Sequence, residues 1–254
     1  MALLVDTDNA LGSSRGDVDD GFALAYLLQK LKDQPFSCSF VSGNASADEA
    51  KRNTLQLVGI AGRKLSEDRP ADKPVRVLAL GPLTNVAALL KKGQPISEII
   101  CVGGNLSSRG RFPPVWPMEF NFTKDLEAAH SAFESSTPLT IVPLDVARAF
   151  RMTRERLNLL RGCDLENFLR KNSLRWLRRC LWLKGSLSFA VWDFVAACYV
   201  GAPYLLRSEH RTCTLSRAGL VKWDSGGRVV KVITGFEPAD LWDEFLRTLR
   251  TPAA

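Results

Sequence analysis

Histidine is scarce in this 254-residue chain: only His130 and His210 are present. Each stands alone, reads as an ordinary surface or core side chain, and is left out of the candidate site. The six cysteines, Cys38, Cys101, Cys163, Cys180, Cys198 and Cys213, include no CxxC pair. That spacing argues against a zinc site or a disulfide framework, and the thiols read as small hydrophobes in a reducing compartment. No apolar run is long enough to cross a bilayer and no charged-then-apolar leader opens the chain, so a cytoplasmic protein with no membrane partner is expected. Repeats, low-complexity stretches and interdomain linkers are also missing. With 46% apolar residues the composition is not that of a disordered chain, and residues 1–254 are read as one domain around one large core.

The net charge of +7 permits a nucleic-acid role, but the excess is local, concentrated between Arg148 and Lys184. There the stretch from Phe168 to Lys184 reads as a helix whose apolar stripe alternates with a solvated basic face. No nucleic-acid partner is expected. The other use of such a face is to draw an anionic or electron-rich ligand toward a nearby mouth.

Short apolar runs that end in turn residues recur at Ala2 to Val5, Cys38 to Ser42, Val75 to Leu80, Ile99 to Val102 and Leu139 to Val142. Helical patterns separate most of them, at Asp20 to Lys32, Ala47 to Arg63, Leu83 to Lys92 and Lys124 to Glu134, with others at Leu165 to Lys184, Asp193 to Val200 and Pro238 to Leu249. This alternation predicts an α/β fold: an open, mostly parallel, Rossmann-like sheet with helices on both faces. The tail differs. Thr212 to Ser216, Leu220 to Trp223 and Arg228 to Ile233, with a Ser225-Gly226-Gly227 turn, predict a small antiparallel C-terminal extension.

Against these absences stands one abundance. Five aspartates, Asp6, Asp8, Asp17, Asp19 and Asp20, fall within fifteen residues directly after the first apolar run. The turn between that strand and the following helix lies at the carboxyl end of a parallel strand, where ligands bind. Carboxylates packed this closely raise one another's pKa, and a hard divalent cation, Ca²⁺ or Mg²⁺, removes the penalty. Asp17 or Asp19 taken singly could instead cap the helix. That reading leaves Asp6 and Asp8 unexplained, because no helix begins beside them.

The other strand ends are also rich in polar groups: Ser42-Gly43-Asn44, Gly81-Pro82-Leu83-Thr84-Asn85, Gly103-Gly104-Asn105 and, further on, Glu119-Phe120-Asn121. Each alone is an ordinary turn or cap. Converging on one rim around a cation, they describe a pocket for a polyhydroxylated ligand.

In this order the motifs resemble the inosine-uridine type nucleoside hydrolases, calcium-dependent nucleoside N-ribohydrolases. The likeness is carried by Asp6-Thr7-Asp8, Gly16-Asp17-Val18-Asp19-Asp20-Gly21, Val41-Ser42-Gly43-Asn44 with Asn53, and Ala79 to Asn85, then by Val102-Gly103-Gly104, Glu119-Phe120-Asn121 with Asp125 to Ala129, and Trp192-Asp193. It implies that Ca²⁺ is ligated by Asp8, Asp20, Asp193 and the backbone carbonyl of Leu80, and that Asp8 is the catalytic base taking a proton from the metal-bound water. It also implies that Asp19 and Asp193 bind the ribose 2′- and 3′-hydroxyls, Glu119 and Asn121 the far side of the sugar, and that Asn44 lies beside water and ribose. Asp6 would support the site from behind. The expected reaction is hydrolysis of a ribonucleoside to ribose and free base; the expected partners are a nucleoside substrate and further copies of the chain in a homodimer or homotetramer.

Three departures from the pattern matter. Leu11 to Gly16 is an insertion that must loop out if Asp8 and Asp19 are to face one metal. The stretch from Gly62 to Val75 is shorter than in the family, where it supplies a loop over the base. Trp192 stands where many members have a histidine acting as general acid; a purine-specific subgroup has a tryptophan there that stacks on the base, which tilts the expectation toward purine nucleosides. The other reading of Trp192 is a core aromatic beside Phe189, Val191 and Phe194. Trp116, Trp176 and Trp182 are candidates for a second stacking ring, and Arg175 or Arg178 for a contact to the leaving base. Two alternatives stay open: a hydrolase of a modified or non-canonical N-riboside, and a non-catalytic nucleoside- or ribose-binding homologue. A phosphatase of the haloacid dehalogenase type is set aside, because the threonine it needs two residues after Asp8 is absent.

Overall fold

The first apolar run extends two residues beyond its apolar part: strand β1 covers Ala2–Thr7 and carries Asp6 and Thr7 to its buried carboxyl end. The computed structural model describes residues 2–13, 16–67, 73–106, 120–224 and 226–251. After β1 come α1 (Asp19–Lys30), β2 (Ser37–Phe40), α2 (Ala47–Ile60), β3 (Val75–Ala79), α3 (Thr84–Lys91) and β4 (Ile96–Val102). The middle of the chain holds α4 (Phe120–Lys124), α5 (Leu126–Glu134), β5 (Leu139–Val142), α6 (Leu144–Ala147), β6 (Arg151–Thr153), α7 (Arg154–Leu159) and α8 (Asp164–Lys184). The last part holds β7 (Ser188–Ala190), α9 (Trp192–Gly201), β8 (Leu206–Leu215), β9 (Val221–Trp223), β10 (Arg228–Phe236) and α10 (Pro238–Arg250).

Eight strands form one sheet in the order β2-β1-β3-β4-β5-β10-β8-β9. From β2 to β10 every neighbour runs parallel, and β8 and β9 complete the edge antiparallel. Successive strand residues face opposite sides of a sheet. Val5, Leu78, Ile100 and Val142 accordingly join one core, and Leu4, Val77, Ile99 and Ile141 the other. The chain leaves β1 in one direction to β2 and returns to its other side with β3. The gap between the carboxyl ends of β1 and β3 is therefore the topological switch point, where an open α/β sheet has its ligand crevice.

Helices α1 and α9 pack against each other on the larger core. Phe194 of α9 is fully buried, with its ring 5.3 Å from Tyr26, 4.7 Å from Phe150 and 5.0 Å from Phe245. Truncating such a ring costs roughly 3–5 kcal/mol. The cluster fixes the start of α9, and with it Asp193.

The structure adds to the sequence reading in three places. The tail strands pair antiparallel as expected, and β10 also pairs in parallel with β5, which makes this extension continuous with the main sheet. The single helix expected over 124–134 is broken at Asp125, whose carboxylate accepts from the Ala128 N–H and caps α5. A second, two-stranded sheet of β6 and β7 was not foreseen. Ser225, in the expected turn, lies outside the described residues.

Candidate active site

The acids of the first motif are held by three elements. Asp6 sits in β1, Asp8 just beyond it, and Asp19 and Asp20 open α1. Asp193 lies in the first turn of α9. Two helix N-termini thus carry the acids, and each offsets negative charge by roughly 0.3–1 kcal/mol per group. One carboxylate oxygen from each of Asp19, Asp20 and Asp193 lies within 4.8 Å of the other two. Thr7 donates a short hydrogen bond to Asp20 Oδ1, so the end of β1 orients the start of α1.

Asp8 sits beside this trio, held from the other side. Its Oδ2 accepts from the Asn44 backbone N–H at 2.5 Å. A Cβ at Gly43 would lie 2.0 Å from that oxygen, and one at Gly81 would lie 2.8 Å from Oδ1. Both loops therefore need glycine for the backbone to approach the carboxylate. Behind it, Asp6 Oδ1 accepts from Ser39 Oγ at 2.6 Å and from Asn85 Nδ2 at 2.8 Å, which ties β1 to β2 and to α3.

These groups are costly to bury. Asp8, Asp19, Asp20 and Asp193 are each at most 5% exposed. Burial, then the Asp20 charge, pushes Asp8 up to about 8. Burial pushes Asp20 up to about 6 against the hydrogen bond from Thr7. Asp19 and Asp193 rise well above the ordinary carboxylate range, first through burial and then through the carboxylates around them. Asp8 Oδ1 and Asp19 Oδ1 are buried with no hydrogen-bond partner among the described residues. Unpartnered hard oxygens that repel one another are the donor set a Ca²⁺-type ion takes, so the residues fit the expected metal.

A cavity of about 870 Å³ opens onto the acids. Asp19, Asn44, Leu80, Asn121 and Asp193 line it from the rim of the large sheet, and Arg148, Arg151, Trp176, Lys184 and Trp192 from the other elements. Asp17 lines it too and is pushed up to about 6 by burial. The Leu80 carbonyl, an expected ligand, accepts from Asn121 Nδ2 at 2.9 Å, and the same amide reaches the Val102 carbonyl at 3.0 Å. Asn121 thereby clasps the ends of β3 and β4; a carbonyl has a second lone pair, so Leu80 keeps an acceptor site.

Most of the expected residues meet here. Asp20 and Asp193 come together with Asp19, which was expected to face sugar, while Asp8 stands next to them outside the trio. Asn44 and Trp192 line the cavity; Glu119 and Trp116 lie outside the described residues. Where the insertion begins, Leu11 is buried, and Asn53 Nδ2 holds the Asn9 carbonyl at 3.0 Å and Ser13 Oγ at 3.1 Å; Ser14 and Arg15 lie outside the described residues. Of the two candidates for a second stacking ring among the described residues, Trp176 lines the cavity with Trp192, whereas Trp182 is 83% exposed. Arg175 and Arg178 are exposed on α8 and do not line it. Arg148, Arg151 and Lys184 do, and only the local charge excess between Arg148 and Lys184 hinted at them.

Comparison with known proteins agrees with this geometry. Uridine nucleosidase 1 of Arabidopsis thaliana is 26% identical over 215 residues, covering 63% of this chain and 61% of that protein. A non-specific ribonucleoside hydrolase of Escherichia coli is 26% identical over 212 residues, covering 63% and 66%. The chain thus spans less than two thirds of the length of these curated relatives. A solved plant nucleoside hydrolase superposes with a TM-score of 0.81 over 99% of both chains at 18% identity, which shows the shared fold. The family described as inosine-uridine preferring nucleoside hydrolase matches residues 63–243, a stretch that holds Leu80, Asn121 and Asp193 but not the N-terminal acids. On that match, and on a fold that brings the N-terminal acids to Asp193, the chain belongs to the inosine-uridine preferring nucleoside hydrolase family.

Proposed function

We propose that this chain is a divalent-cation-dependent N-ribohydrolase that splits ribonucleosides into ribose and free base, with Ca²⁺ as the ion and a preference for purines. The observation that carries the reading is the convergence of Asp19, Asp20 and Asp193 beside Asp8, with Asp19 and Asp193 lining a cavity large enough for a nucleoside. Asp8, Asp20, Asp193 and the Leu80 carbonyl would hold the ion. When bound, Ca²⁺ supplies Lewis-acid polarisation of the attacking water.

The chain's own groups do the rest. Asp8 takes one proton from the water as the oxygen bonds to the ribose C1′. The bond from C1′ to the base nitrogen breaks, its electron pair leaves with the base, and a proton returns to the base. Positive charge grows on the sugar ring meanwhile, and the surrounding carboxylates stabilise it. Asp19 and Asp193 accept from the 2′- and 3′-hydroxyls, and Glu119, Asn121 and Asn44 position the sugar. Asp6, locked by Ser39 and Asn85, keeps the end of β1 in place. The purine preference is supported by Trp192, which lines the cavity as a flat stacking surface.

Reducing-sugar release from inosine, guanosine, xanthosine, adenosine and uridine tests the reading. Turnover of at least one, with purines ahead of uridine and loss of turnover in Asp8→Asn, is the expected result. A chain that cleaves none of them, or cleaves equally well as Asp8→Asn, contradicts it.

A further inference from the structure

The cavity carries charge of both signs, and the reaction just described uses only one. Its acids come from the rim of the large sheet. Its cations come from elsewhere: Arg148 follows α6, Arg151 lies in β6, and Lys184 ends α8. Arg151 is committed to the fold, since its Nε donates to Ser188 Oγ at 2.8 Å and its Nη2 to the Ser188 carbonyl at 2.9 Å. The side chains of Arg148 and Lys184 make no hydrogen bond or ion pair among the described residues, yet both line the cavity. Asp17 lies between the two sets, within reach of the Lys184 charge on one side and of the Asp19 carboxylate on the other.

The same cavity has aromatic lining. Trp176 and Trp192 line it, and Trp192 Nε1 is buried with no partner among the described residues, a donor left for an acceptor atom of a ligand. Trp192 directly precedes Asp193, so the indole and the sugar-side acid are presented by the same helix start.

We propose that Arg148 and Lys184, which line the same cavity as the indoles of Trp176 and Trp192, are specificity-determining residues that receive a leaving heterocycle bearing negative charge, so that the preferred substrate is the N-riboside of an acidic purine. The inference rests on the ribohydrolase reading and adds the class of base to it. A neutral base gains little from two unpaired cations, whereas an anionic one gains charge-assisted hydrogen bonds in a partly apolar cavity. A phosphate on the ribose would also be anionic, but the cavity that the cations line is lined by two indoles as well, stacking surfaces for a flat ring, which favours charge on the base.

The test compares the wild-type chain with the double variant Arg148→Gln and Lys184→Met. Both positions are exposed, so folding is spared. Tryptophan fluorescence follows binding of urate, an anion at neutral pH, and of hypoxanthine, which is neutral. Ribose release from xanthosine, inosine and inosine 5′-monophosphate follows turnover. Urate is expected to bind the wild-type chain more tightly than hypoxanthine. In the double variant urate binding and xanthosine turnover are expected to fall roughly ten- to a hundredfold, with hypoxanthine and inosine changed by about twofold or less. Equal binding of the two bases by the wild-type chain overturns the inference, as does a loss that falls on the 5′-monophosphate alone. Inosine turnover without urate preference leaves the ribohydrolase reading standing and removes this one; urate preference with no nucleoside cleaved removes the ribohydrolase reading and the substrate class with it, and leaves only the binding of an anionic base by Arg148 and Lys184.

Discussion

Two groups of buried carboxylates in this fold are treated in opposite ways. Glu244 of α10 is almost fully buried, and it is surrounded by donors: Lys30 Nζ at 2.7 Å, Tyr26 Oη at 3.0 Å, Thr248 Oγ1 at 3.3 Å and the Arg247 guanidinium. Burial works to raise its pKa, but the hydrogen bonds from Lys30 and Tyr26 and the charges of Lys30 and Arg247 outweigh it and hold the group below the ordinary glutamate range. Asp8, Asp19, Asp20 and Asp193 are buried to the same degree with carboxylates as their neighbours, and all four are pushed up. A structural carboxylate is neutralised by its own chain. The rim acids are arranged so that something from outside must do it, and perturbed groups left in that state mark a working site.

The largest effect that would break this contrast is kinetic. Asp8→Asn keeps the shape of the side chain and removes a base, so kcat is expected to fall roughly a thousandfold, about 4 kcal/mol, with the melting temperature kept. A comparable loss of kcat in Glu244→Gln would erase the distinction between the two groups. That variant is instead expected to lose about 2 kcal/mol of stability at neutral pH in denaturant melts, because it gives up charge-assisted hydrogen bonds that join α1 to α10.

The two groups also respond to pH with opposite sign. The Glu244 pKa is lowered on folding, so its contribution is present above the unfolded glutamate pKa and is lost as pH falls through the folded one. The stability gap between wild type and Glu244→Gln should therefore close in acid. The rim pKa values are raised, so the metal-free chain is expected to lose stability as pH rises through about 6 and on to about 8, the levels of Asp20 and Asp8. Thermal melts across that range in the presence of a chelator check it. The smallest effect sharpens the same point: Asp19→Asn removes one repelling charge and is expected to stabilise the chelated chain by about 1 kcal/mol while abolishing sugar affinity. A stability loss in that variant would mean that the acid trio is held together by its own hydrogen bonding.

The first five strands and most helices were legible because their apolar residues repeat with the right period and end in turn residues. What local pattern could not show was pairing at long range. Nothing in Arg228 to Phe236 says that this strand joins Leu139 to Val142, and Arg151–Thr153 and Ser188–Ala190 are too short to show alternation. The break at Asp125 was visible only as an N-cap residue inside a helical run. At the site, the aspartates stood out through their crowding, and the family resemblance carried by the ordered motifs implied Leu80, Asn121 and Asp193. The grouping of Asp19 with Asp20 and Asp193 depends on how α1 and α9 dock, which is tertiary. Arg148, Trp176 and Lys184 meet in one cavity only through packing of the β6 and α8 region, so spacing pointed to Arg175 and Arg178 instead.

An acid rim built around one divalent cation should reveal itself in calorimetric titration of Ca²⁺ into chelator-stripped protein. One ion per chain is expected, with a rise in melting temperature worth about 2.7 kcal/mol at a hundredfold excess over Kd, and with both signals lost in the double variant Asp20→Asn and Asp193→Asn. No binding of Ca²⁺ or Mg²⁺, or binding undiminished in that variant, would contradict the account.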